Sequence, residues 1–123
     1  MGANNKVLIV DDSETVRSIL SMRFEVSGYD VITARDGQEA IEKTKDEKPA
    51  ILILDLMLPK INGYEVCRML KFDEKYKNLP IIILSALDQQ EEREKAVKSG
   101  ADAYFIKPFD LDLLVTKVKS FIG

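Results

Sequence analysis

The sequence has no histidine, and its one cysteine, Cys67, has no second thiol to pair with. The first absence excludes a His-based catalytic triad and makes zinc a poor fit, because zinc sites lean on imidazole and thiolate. The second excludes an intrachain disulfide or a thiolate metal cluster. With no leader pattern at the N-terminus, the lone thiol points to a reducing, cytoplasmic setting. No apolar run approaches the ~18 residues of a membrane span, so no membrane partner is expected. A basic block is missing too. Eighteen basic side chains are interspersed with 21 acidic ones for a net charge of −3, so direct nucleic-acid binding by this segment is not expected. Neither G-x-G-x-x-G nor G-x-x-x-x-G-K-[ST] occurs, which removes the signature of nucleotide and flavin sites on an α/β architecture.

What is present is a strict alternation. Val7-Leu8-Ile9-Val10, Ile51-Leu52-Ile53-Leu54 and Ile81-Ile82-Ile83-Leu84 are uninterrupted apolar runs of the kind found in strands covered on both faces. Val31 to Ala34 and Ala103 to Ile106 are weaker strand candidates. Helical stripes lie between them. Val16, Ile19, Leu20 and Phe24 form one; Ala40, Ile41 and Thr44 a second; Val66, Met69 and Leu70 a third. Gln89 to Ser99 reads as a charged fourth helix with little beyond Ala96 and Val97 to bury. Leu111, Leu114, Val115, Val118 and Ile122 make the fifth. Gly28, Gly37 and Gly100 read as caps and turns, and Cys67 as a small buried hydrophobe. Five strand–helix units predict a (βα)5 doubly wound α/β fold, a five-stranded parallel sheet with helices on both faces. Residues 1–123 are expected to form a single domain, with no linker or second module.

Five polar residues fall at the C-terminal edges of these strands: Asp11, Asp12, Asp55, Ser85 and Lys107. In an open parallel sheet those edges converge on one crevice. A lone Asp there reads equally well as a helix cap, a lone Ser as a turn acceptor and a lone Lys as a solvated charge. Adjacent carboxylates are harder to account for that way: at 4 Å they repel by ~4 kcal/mol with an effective dielectric near 20, which a cation relieves. Oxygen-only ligation points to Mg²⁺ or Mn²⁺. Lys107 can neutralise a phosphoryl group, and the Ser85 hydroxyl can hydrogen-bond to one.

Val-Leu-Ile-Val-Asp-Asp at 7–12, Leu-Asp-Leu-Met-Leu-Pro at 54–59, Asn-Gly-Tyr-Glu-Val at 62–66, Leu-Ser-Ala at 84–86 and Gly-Ala-Asp-Ala-Tyr-Phe-Ile-Lys-Pro-Phe at 100–109 resemble the response-regulator receiver domain of two-component signalling. Five segments in order span the whole chain. The resemblance implies a flavodoxin-like sheet of order 2-1-3-4-5 and a phosphorelay role. Asp55 would accept a phosphoryl group from a sensor histidine kinase or histidine phosphotransfer protein. Asp12 would ligate Mg²⁺ directly, Asp11 mostly through water, and Met57 through its backbone carbonyl. Ser85 and Lys107 would contact the phosphoryl group, Tyr104 would turn inward on switching, and the Lys107-Pro108 bond would be cis. The switched face of the fourth helix, fifth strand and fifth helix would engage a downstream protein target or an output domain absent from this chain. Apolar Met57 and Leu87 beside the acyl phosphate would slow its hydrolysis.

Two rivals share the chemistry or the fold. A Mg²⁺-dependent aspartyl phosphohydrolase normally carries a second carboxylate two residues after the nucleophile, where this chain has Met57. A pseudo-receiver that only docks partners is expected to lose an acid or the lysine, and all are kept.

Overall fold

A computed structural model describes residues 4–87 and 89–123; residues 1–3 and Asp88 lie outside the described part of the expected domain. The elements alternate as predicted: β1 (Lys6–Val10), α1 (Glu14–Val26), β2 (Asp30–Ala34), α2 (Gly37–Glu47), β3 (Ile51–Asp55), α3 (Gly63–Lys71), β4 (Ile81–Ser85), α4 (Gln90–Ser99), β5 (Ala103–Ile106) and α5 (Leu111–Ile122). All pairings are parallel, in the order β2-β1-β3-β4-β5.

The uninterrupted apolar runs have a direct cause. Successive side chains on a strand point to opposite faces, and both faces are covered here. Leu8, Val10, Leu52, Leu54, Ile81 and Ile83 pack with Ala40, Val66, Cys67, Leu70 and Ala96 of α2, α3 and α4. Their neighbours Val7, Ile9, Ile51, Ile53, Ile82 and Leu84 pack with Leu20, Phe24, Leu114, Val115 and Val118 of α1 and α5. Cys67 is fully buried in the first cluster, and burial pushes its thiol pKa up, in keeping with a hydrophobe rather than a reactive thiol.

Side-chain caps start four of the five helices. Ser13 accepts from Val16 N–H, Asp36 from Glu39 N–H, Asn62 from Glu65 N–H and Asp110 from Asp112 N–H, each satisfying an orphan donor of the first turn. Gln89, at the start of α4, makes no such bond.

Four expectations need correction. Ile19, Met69 and Val97 were expected to face inward with their stripes; they are 52%, 53% and 73% exposed. In α1, α3 and α4 one residue of the apolar stripe is left outside, whereas no stripe residue of α2 or α5 is exposed. Gly28 and Gly100 end α1 and α4 at φ +97° and +95°, as the cap reading requires. Gly37 does something else. A Cβ there would stand 2.1 Å from the carbonyl oxygen of Ile61, so glycine is needed for the approach of the β3–α3 loop to the start of α2.

Candidate functional site

The parallel register fixes the crevice. β1 and β3 run side by side, with Val10 beside Leu54, so the residues that follow each strand emerge together. Asp55, the last residue of β3, is 5% exposed, and Asp11, the first after β1, is 2% exposed. Asp12 faces solvent. One carboxylate oxygen from each of Asp11, Asp12 and Asp55 lies within 4.8 Å of the others. Neither Asp11 nor Asp12 serves as the α1 N-cap; that role falls to Ser13, whose backbone N–H donates to Asp11 Oδ1 at 2.9 Å.

Lys107 follows β5 and reaches across the sheet to this cluster. Its Nζ lies 3.0 Å from Asp55 Oδ1 and 3.5 Å from Asp11 Oδ2. The backbone holds it there: Lys107 N–H donates to the Ser85 carbonyl at 2.7 Å, and the Lys107-Pro108 peptide is cis. Burial raises the pKa of Asp55; the hydrogen bond from Lys107 opposes this, and the neighbouring charge of Asp11 adds to it. For Lys107, burial disfavours the charge, but the hydrogen bond and charge of Asp55, joined by Asp11, outweigh it and raise the pKa. The lysine is therefore a fixed cation, and the buried acids still hold excess negative charge that a further cation would relieve.

Ser85 ends β4, buried, with its Oγ accepting from Leu87 N–H at 3.0 Å. It is thus tied to its own loop. Tyr104 of β5 is half-buried, pairs with Ile83 across the sheet and donates from its hydroxyl to the Leu87 carbonyl at 2.7 Å. Met57 lies in the β3–α3 loop with its side chain 67% exposed between the buried Leu56 and Leu58, so the loop is anchored by its neighbours. The structure thus brings Asp11, Asp12, Asp55 and Lys107 together, and places Ser85, Met57 and Tyr104 on the surrounding loops and strand.

Sequence reasoning missed three contributors. Arg17 of α1 donates from Nη1 to the Asp11 carbonyl at 2.7 Å and fixes the β1–α1 turn. Lys60, at φ +70° in the β3–α3 loop, sits 3.5 Å from Asp36 Oδ2. The Asp36 carboxyl is held below the usual carboxylate range chiefly by the Glu39 backbone N–H it accepts, with Lys60 contributing. Tyr64 of α3 donates to Glu92 of α4. Only the position of Arg17, one helical turn beyond the acids, carried a local signal.

The sequence model of the response regulator receiver domain matches residues 7–119. The chain belongs to this family. Alkaline phosphatase synthesis transcriptional regulatory protein PhoP of Bacillus subtilis is 42% identical over 119 residues, 97% of this chain and 49% of the relative. The receiver thus spans about half the length of that regulator. Among solved structures, chemotaxis protein CheY4 of Vibrio cholerae superposes with a TM-score of 0.90 at 31% identity, covering 98% of this chain and 100% of that one. Response regulator TrrA of Thermotoga maritima, solved in complex with Mg²⁺ and BeF, gives 0.85 at 32% identity, covering 96% and 99%. The sheet order and five-helix arrangement of this receiver are those of the fold, and its role is that of a phospho-accepting signalling domain. Among the described residues, no helix is long and apolar enough to cross a membrane.

Proposed function

We propose that Asp55 is the phospho-acceptor of this receiver and that Asp11, Asp12, Asp55 and the Met57 carbonyl hold the Mg²⁺ that its chemistry requires, with Mn²⁺ able to substitute. The observation that carries this is the buried Asp55 carboxylate, bridged by Lys107 at 3.0 Å and grouped with two further acids. A set of hard carboxylate oxygens with neither thiolate nor imidazole suits such a cation. When bound, the metal supplies positive charge to the phosphoryl oxygens.

The chain's own residues account for the rest. An Asp55 oxygen attacks phosphorus in line, the bond from phosphorus to the donor nitrogen or oxygen breaks, and an acyl phosphate remains. Lys107 neutralises charge on the phosphoryl oxygens as it transfers. Phosphorylation replaces the single carboxylate charge of Asp55 by a group carrying about −1.5 to −2 charges with strong acceptor oxygens. Ser85 exchanges its bond to Leu87 N–H for one to the phosphoryl group, and Tyr104, tied to the same Leu87, follows. The α4–β5–α5 face is thereby remodelled for a downstream protein target or an output domain.

The donor is a phosphohistidine on a sensor kinase or phosphotransfer protein. An apolar groove of about 270 Å³, lined by Val16, Ile19, Leu20, Pro108, Phe109 and Leu111 together with Lys107, offers it a seat beside the lysine that reaches Asp55. The protein is a cytoplasmic switch that catalyses only its own phosphorylation and dephosphorylation, the latter slowed by Met57 and Leu87.

Intact mass after incubation with acetyl phosphate tests the reading. A Mg²⁺-dependent gain of one phosphoryl mass is expected, absent with EDTA and in Asp55→Asn. A gain that survives in Asp55→Asn would overturn the assignment of the acceptor.

A further inference from the structure

The first turns of α4 bury almost no apolar surface. Only Ala96 and Ser99 of this helix are buried, both in its C-terminal half, and Gln89 provides no cap. Among residues 90–95, Glu92 alone is not fully exposed. The reason is Tyr64. Half-buried in the first turn of α3, it places its hydroxyl 2.8 Å from the Glu92 carbonyl and 2.7 Å from Glu92 Oε2. A phenol has one proton to donate, so two acceptors on one residue hold it in either orientation. Lys95 Nζ, 3.6 Å from Glu92 Oε1, steadies the carboxylate from the solvent side. Burial first, and then the bond to Glu92, raise the Tyr64 pKa and keep the hydroxyl a donor.

The loop leading into α4 is held at Leu87, its N–H by Ser85 Oγ and its carbonyl by Tyr104, whose hydroxyl also interacts with that of Tyr64. When Ser85 turns toward a group on Asp55 and gives up Leu87, the loop loses one of these two ties at that residue, while Tyr64 still grips the first turns of α4 through Glu92. Tyr64 sits directly after Asn62-Gly63, at the end of the loop that follows Asp55, so the grip ties α4 to the acceptor strand's own connection.

We propose that Tyr64 is a positioning residue that holds the first turns of α4 through Glu92 and so opposes the rearrangement of that helix; the link to switching rests on the phosphorylation of Asp55 proposed above. Losing one hydrogen bond of ordinary strength shifts a two-state balance about fivefold. The hook therefore sets how readily the helix moves and leaves the chemistry at Asp55 intact.

Hydrogen–deuterium exchange of the full chain, with no phosphoryl donor, tests this in Tyr64→Phe, which keeps the ring and deletes only the hydroxyl. Exchange over residues 90–95 should quicken about fivefold while β1 and β3 stay unchanged. Glu92→Gln, which keeps the backbone carbonyl and one side-chain oxygen as acceptors for the phenol, should retain the wild-type pattern. Unchanged exchange over 90–95, or equal acceleration everywhere, would overturn the hook. With acetyl phosphate and Mg²⁺, Tyr64→Phe should gain its phosphoryl mass faster than wild type, whereas a merely damaged fold would gain it more slowly. Equal or slower gain would overturn the link to switching. No gain in wild type would remove the phosphorylation reading and that link together, and the exchange data would still decide the hook.

Discussion

The β1–β3 floor of the crevice and the α4 flank beside it are built in opposite ways. All five residues of β3 are buried, and the carboxylates at its end are fixed by Lys107 and by the turn after β1. Of the ten residues of α4, two are buried, the N-cap residue Gln89 makes no side-chain capping bond, and a phenol on α3 grips the first turns. The floor carries groups whose mutual distances decide whether chemistry happens, and close packing holds such distances. The flank carries none of them, and weak anchoring makes it the element that a small energy can move. Rigidity and softness are thus assigned along one sheet by how much apolar surface each element has to bury.

The largest effect should come from the floor. Leu52→Ala in β3, at a position with no solvent exposure, should cost about 2–5 kcal/mol in chemical denaturation. Val97→Ala on α4, 73% exposed, should stay within about 0.5 kcal/mol. Similar costs for the two would break the contrast.

A smaller effect, with a sign that separates two influences, is expected at Gly37. Helix propensity alone makes Gly→Ala worth roughly 1 kcal/mol of added stability. The new Cβ would meet the Ile61 carbonyl at 2.1 Å, and overpacking typically costs about 1–3 kcal/mol. The clash should win. Gly37→Ala should be destabilised, with amide shifts moving through residues 56–62, and a stabilised variant would show that the β3–α3 loop yields more than the floor around it.

The smallest effect belongs to the flank and appears at high pH. The Tyr64 pKa is raised in the folded protein, so its stabilising contribution is full below the unfolded phenol value near ~10 and is lost as pH rises through the higher folded value. Between pH 9 and 11 wild type should therefore lose more stability than Tyr64→Phe. Tyr29, also raised by burial, is common to both proteins and cancels in the difference. Parallel curves would mean that the phenol holds its partner less firmly than the geometry implies.

Much of this was legible in the chain. The apolar runs at 7–10, 51–54 and 81–84 call for strands covered on both faces, and the polar residues that close them had to meet at one edge once those strands ran parallel. The helices were legible to within a residue or two, but their inward faces were not: Ile19, Met69 and Val97 continue their stripes in sequence and lie outside in space. A stripe records which side of a helix is apolar, whereas the curvature of the neighbouring surface decides how much of that side is covered.

By itself the sequence determined the alternation of elements, the double-sided burial of the sheet and the identity of the acids, hydroxyl and lysine at its edge. These follow from periodicity and residue chemistry, which act over a few positions. Only the tertiary structure decided that Asp11 is buried while Asp12 faces water, that Lys107 bridges Asp55 at 3.0 Å, that Gly37 must admit Ile61 and that Tyr64 finds Glu92. Those pairings join residues 24 to 52 positions apart. No local preference encodes them, because they exist only once the crossovers have set each helix against its neighbour.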